Sequence, residues 1–144
     1  MTHIRRALFA AALATGLASS AQAQGYKVIV NASIADRSIS RAKLSRLFLK
    51  QDGKFPEGQA AVPVDLNASS PAREAFSKAV LGRGPGPVKT YWQQQIFAGR
   101  ASPPIEKSSD ADVIAFVAST PGAVGYVSSD ASLGESVRII AVAP

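Results

Sequence analysis

The chain has 144 residues, with 16 Lys and Arg against 10 Asp and Glu, a formal net charge of +6, no cysteine and a single histidine, His3. That length suits one domain around one core. Without cysteine there are no disulfides, no thiolate metal sites and no acyl anchor on a cleavage-site Cys. Any product lacking the first residues also lacks imidazole, which excludes Ser-His-Asp and Cys-His nucleophilic systems, the usual zinc sites and a neutral-pH His base.

At the start of the chain Arg5 and Arg6 precede a twelve-residue apolar run, Ala7 to Ala18, and the small-residue sequence Ala21-Gln22-Ala23. This is the order of a secretory leader. The run is shorter than the roughly 20 residues a membrane span needs. The expectation is a signal peptide over residues 1–23 and one domain over residues 24–144, periplasmic or secreted and not membrane-spanning. Cleavage removes two basic residues and no acidic one, which lowers the net charge from +6 to +4 and leaves 121 of the 144 residues.

Tyr26 to Val30 alternates and is β-branched, so a strand is predicted with Val28 and Val30 on one face. Ser40 is placed as the N-cap of a helix that buries Leu44, Leu47 and Phe48 and ends at Asp52-Gly53. Arg41, Lys43, Arg46 and Lys50 make that helix basic, with Lys43, Arg46 and Lys50 on the solvent side. Such a face offers a contact for an envelope protein; export and the scarcity of nearby aromatics argue against nucleic acid.

Ala61 to Leu66 is predicted as a second strand, where Pro63 signals an edge or a strand start. Ser70 and Pro71 open a helix, because Pro at the first helical position gives up an N–H that has no partner anyway. Ala72, Ala75, Phe76, Ala79 and Val80 form its buried stripe, and Gly82 ends it. After a turn-rich connector, Val88, Tyr91, Trp92, Gln95 and Ile96 give a third amphipathic helix that stops at Gly99. Pro103-Pro104 reads as loop. Ser109 and Asp112 have capping-box spacing for a helix with Val113, Phe116 and Val117 inside. Ala123 to Val127 and Val137 to Val142 are the closing strands. Strands separated by helical stretches argue for an α/β fold with a mixed, partly parallel sheet and helices on both faces.

Ser40-Arg41-Ala42-Lys43 has the Ser-x-x-Lys spacing of some serine enzymes, but the motifs that complete that chemistry are absent. Gly82 to Gly86 has no Gly-Lys-Ser/Thr close, so it reads as a connector and not a phosphate loop. No acid–base pair emerges from spacing, so neither an enzyme nor a cofactor is expected.

Several stretches together resemble the phosphate-binding proteins of phosphate ABC transporters, which are type 2 periplasmic binding proteins. They are Leu44 to Phe48 with Lys50, Val62-Pro63-Val64 leading into Ser69 to Phe76, Trp92 with Ile96-Phe97, and above all Thr120-Pro121-Gly122-Ala123-Val124-Gly125-Tyr126-Val127. The likeness runs over nearly the whole chain after residue 23 and implies one of that family's two lobes. It implies a small-oxyanion ligand such as phosphate, held weakly at a helix start formed by Ser69, Ser70, Ala72 and Arg73. In the family a Ser-Gly-Thr sequence opens this helix, and an Arg four residues before that Ser contacts the anion. Here Ser69 matches the serine, Ser70 and Pro71 replace Gly and Thr, and Asp65 stands in place of the Arg. Pro71 has no N–H to donate, and Asp65 adds negative charge where the anion would sit.

Overall fold

The structure is a computed structural model, and it describes residues 24–144; the leader assigned to residues 1–23 lies outside the described residues. Strand β1, Tyr26–Asn31, is flanked on both sides and is buried on both faces. It pairs antiparallel with β5, Ala123–Ser128, and with β6, Val137–Ile139. Val28 lies opposite Tyr126 and Val30 opposite Val124, so the two valines do share a face; Ile29, opposite Gly125, is buried on the other.

β5 continues parallel into β3, Val62–Leu66, and β3 is parallel in turn to β4, Ile105–Lys107. The five-stranded sheet runs β4-β3-β5-β1-β6. β3 is therefore internal, and of the two readings of Pro63, an edge or a strand start, the second holds. Pro63 is tolerated because β4 begins to pair only at Val64, so at Pro63 the strand has one neighbour, β5. Two further short strands, β2 (Ser38–Ser40) and β7 (Ala141–Ala143), pair parallel as a separate ribbon. The closing segment predicted as one strand is thus two, with Ile140 buried between them and its N–H bonded to the Val28 carbonyl.

The helices occupy both faces of the sheet. Helix α4, Asp110–Ser119, lays Val113 and Val117 over Gly125, where an added Cβ would stand 2.9 Å from Val113 Cγ1 and 2.7 Å from Val64 Cγ1. Only glycine lets the helix approach this closely. On the other face, α1 (Arg41–Phe48) and α2 (Pro71–Phe76) carry Phe48 and Phe76 against Tyr126. The Phe76 and Tyr126 rings stack at 3.9 Å between centroids.

Ser40 caps α1 as predicted, its Oγ accepting the Lys43 N–H at 3.1 Å. The helix stops before Asp52-Gly53, because Lys50 adopts a left-handed backbone (φ 56°) and its N–H turns back to the Leu47 carbonyl while that of Gln51 bonds to Arg46. This is a Schellman end with lysine where glycine is usual. Asp52 instead forms an ion pair with Lys43, which takes Lys43 off the free basic face; Arg41, Arg46 and Lys50 remain exposed.

α2 widens after Phe76 into a π-helical segment, Ser77–Leu81, that closes at Gly82 with φ 71°. The wider turn moves the buried stripe by one position. Val80 and Leu81 face the core, and Ala79, expected inside, is exposed. Helix α3, Pro85–Phe97, buries Val88 and Trp92, but its stripe fades toward the end: Ile96, expected inside, is 57% exposed. Among the described residues no helix is long and apolar enough to cross a membrane.

Candidate functional site

In open α/β sheets the carboxyl ends of parallel strands leave a crevice in which ligands bind, because strands end there while their connections diverge. The parallel pair β3–β4 ends in such a place. Asp65 and Glu106 stand opposite each other in register, and the turn from Leu66 to Ser70 leads into α2.

Asn67 organises this turn. Its Oδ1 accepts the Ser69 N–H at 3.1 Å and the Ser69 hydroxyl at 2.6 Å, and its side-chain amide donates to the Ser108 carbonyl at 2.9 Å. The Ser69 hydroxyl, assigned from the sequence to an anion, is thus turned onto Asn67. Ser70 occupies the N-cap position of α2, yet its side chain makes no capping bond. Ala72 is buried beneath the turn.

Arg73 is folded inward with its side chain 8% exposed. Nη1 donates to the Leu66 carbonyl at 2.6 Å and stands 3.6 Å from Asp65 Oδ1 and 3.7 Å from Glu106 Oε2. Its Nε is buried without a partner. Asp65, 5% exposed, accepts the Tyr126 hydroxyl at 2.7 Å, and that same hydroxyl accepts the Leu66 N–H at 3.2 Å. Burial pushes the Asp65 carboxyl above the usual carboxylate range, although Arg73 and the Tyr126 hydroxyl pull it back. Burial, then the neighbouring Asp65, raises the Tyr126 phenol far above its ordinary value, so it stays a hydrogen-bond donor at neutral pH.

The structure therefore brings Ser69, Ser70, Ala72 and Arg73 to one turn, but spends the Ser69 hydroxyl and Nη1 of Arg73 internally, while Nε of Arg73 is left without a partner. Asp65, Tyr126, Arg73 and Glu106 form a cluster that sequence reasoning missed. The sequence pattern marks Tyr126 only as a strand residue. The signal available was its two-residue offset from Val124, which puts it on the face that α2 covers.

Above the cluster opens a cleft of about 580 Å³ with apolar walls from Trp92, Ile96, Pro103 and Pro104 and with Lys89 at its lining. At its floor two carboxylates flank one guanidinium, an arrangement that disfavours a doubly charged anion. Among the described residues no three His, Cys, Asp or Glu gather closely enough to hold a metal ion.

No protein-family model matches the sequence, and none of the curated proteins does. Solved structures do match in fold. An ABC-type phosphate transport receptor from Vibrio cholerae superposes with a TM-score of 0.61 at 19% identity over 82% of this chain and 46% of its own. PstS from Borrelia burgdorferi gives 0.61 at 16% identity over 82% of this chain and 47% of its own. The chain spans less than half the length of these proteins. It has the fold of one portion of a phosphate-transport receptor.

Proposed function

We propose that this chain is an exported, non-catalytic capture domain of the phosphate-receptor type, accessory to phosphate uptake or sensing, which meets a small oxyanion weakly at the turn leading into α2. The observation that carries this reading is the placement of the Ser69–Arg73 turn and its cleft at the carboxyl ends of β3 and β4, in a fold shared with phosphate receptors. Export rests on the Arg5-Arg6, Ala7–Ala18 and Ala21-Gln22-Ala23 order.

Weakness follows from the geometry. The anion would meet a hydroxyl already turned onto Asn67, a guanidinium held by Leu66 and Asp65, and the Asp65 carboxylate itself. Isothermal titration with phosphate in a low-salt, phosphate-free buffer should give a dissociation constant in the millimolar range. A value near one micromolar, about −8 kcal/mol, would overturn the single-face reading.

A second reading, an envelope interaction module whose ligand site has decayed, is favoured by the inward pairing of Arg73 and Asp65. In this reading the exposed Arg41, Arg46 and Lys50 of α1 meet an acidic partner. No heat with phosphate at any concentration favours this alternative.

A further inference from the structure

The cleft above the Asp65–Arg73 cluster carries charges of both signs and an apolar wall, more than a bare oxyanion can use. Helix α3 contributes Lys89, Trp92 and Ile96, which at i, i+3 and i+7 lie along one side of the helix, and Pro103 and Pro104 complete the wall. At about 580 Å³ the space falls within the roughly 300–1,000 Å³ of small-molecule sites. Four of its lining residues are ionisable, Asp65 and Glu106 against Arg73 and Lys89, so the two signs balance. Much of their bonding capacity is unused. Lys89 is exposed and has no ion pair or side-chain hydrogen bond among the described residues. The Glu106 carboxylate, in a side chain 54% exposed, has only Arg73 Nη1 nearby, and at 3.7 Å that is beyond hydrogen-bond range. Asp65 engages Oδ1 with the Tyr126 hydroxyl. Arg73 bonds through Nη1 alone, and its Nε has no partner although the side chain is only 8% exposed.

We propose that this cleft binds a free amino acid with a large apolar side chain: its ammonium meets Glu106 and Asp65, its carboxylate meets Lys89 and Arg73, and its side chain lies against Trp92, Ile96 and the two prolines. The lining selects this class by exclusion. A simple anion gains from Lys89 and Arg73 but is repelled by two carboxylates, and a simple cation meets the converse. A hydrocarbon covers the wall but strips water from four ionisable groups without replacing its hydrogen bonds. A zwitterion has no net charge, offers donors and acceptors to both pairs, and in an apolar amino acid carries the body that the wall can cover. Inorganic phosphate has no such body. The inference goes beyond the phosphate reading and does not rest on it.

Isothermal titration of the purified protein with L-phenylalanine, in low-salt buffer free of phosphate, should give a dissociation constant below about 1 millimolar, in keeping with a ligand of this size. Two analogues each lack one charge. Phenethylamine has no carboxylate and 3-phenylpropionate no ammonium, so each should bind at least about tenfold more weakly, because charged groups of the cleft then lose their partner. Glu106→Gln and Lys89→Gln, both at exposed side chains, should keep the wild-type melting temperature and weaken phenylalanine about two- to fivefold, the range of a solvent-exposed charge pair. Ile96→Asp, also at an exposed position, should weaken it further by placing a charge on the wall. Absence of heat up to about 20 millimolar phenylalanine overturns the proposal. So does an analogue that binds as tightly as phenylalanine, or wild-type affinity in all three variants. Phosphate titrated into the same samples separates the two readings: phenylalanine binding without phosphate binding supports the amino-acid site and sinks phosphate capture, and phosphate binding without phenylalanine binding does the reverse.

Discussion

Tyr126 is the residue on which the buried cluster turns. Its hydroxyl both donates to Asp65 and accepts from the Leu66 N–H, so Tyr126→Phe leaves a buried carboxylate oxygen and a backbone donor short of a partner at once. An unsatisfied buried group costs ~1–3 kcal/mol, more when it is charged, so urea unfolding should show a loss of at least ~2 kcal/mol. Asp65 makes a pH-dependent contribution of known sign. Its folded carboxyl titrates above the unfolded value, so the folded state binds the proton more tightly, and stability is lost as pH rises from the ordinary carboxylate range through the raised value. Asp65→Asn removes that loss. The stability of the variant relative to wild type should therefore increase between pH 4 and pH 7; a constant difference across that window would refute the raised titration. Little of this is legible in the sequence beyond the strand face of Tyr126. From the sequence Asp65 stands as a misplaced charge and Arg73 as an anion contact, because the pairing of the two depends on how a turn folds α2 back over β3.

At the scale of elements, legibility followed local signal. The helices with caps and stripes, α1 and α4, stand where Ser40 and Ser109 put them, and the Ser109 Oγ accepts the Asp112 N–H at 3.1 Å. The three-residue strands β2 and β4 went unseen because nothing within Ser38–Ser40 or Ile105–Lys107 announces a strand; each exists through a partner about 40 or 100 residues away. The π-helical widening at Ser77–Leu81 was equally hidden, since a stripe written at helical spacing continues through Ala79 and the structure exposes that residue. Three substitutions probe these elements. Lys50→Gly at the left-handed end of α1 relieves a strain of ~1–2 kcal/mol and adds ~0.5–1 kcal/mol of backbone entropy loss, so the melt should show a net gain of up to ~1.5 kcal/mol. Phe76→Ala should cost ~3–5 kcal/mol, because the ring is fully buried, stacked on Tyr126 and packed against Phe48 and the edge of Tyr26. Trp92→Ala should cost less, because part of its ring forms the wall of an open cleft and leaves no sealed cavity when removed.

For the whole molecule, the decisive quantity is how strongly an open-faced site can hold an anion. An exposed helix terminus supplies only ~0.3–1 kcal/mol, and solvent and salt screen the remaining charge contacts. Here the turn into α2 also faces the carboxylates of Asp65 and Glu106, so the net electrostatic contribution is small. A ligand that binds only the folded state stabilises it by RT ln(1 + [L]/Kd), which gives about 1.4 kcal/mol when phosphate is tenfold above a millimolar dissociation constant. For a domain of this size that corresponds to a rise in melting temperature of roughly 3–6 °C. A micromolar site under the same ~10 mM phosphate would contribute about 5 kcal/mol and a shift several times larger. Phosphate also strengthens burial non-specifically, so sulfate at matched ionic strength is the reference, and the excess of the phosphate shift over the sulfate shift counts as binding selective for phosphate. The expected excess is a few degrees for wild type. It should grow for Asp65→Asn, which removes a carboxylate from the proposed anion site and leaves Arg73 with one fewer competitor. An excess that shrinks in Asp65→Asn would place phosphate elsewhere on the molecule.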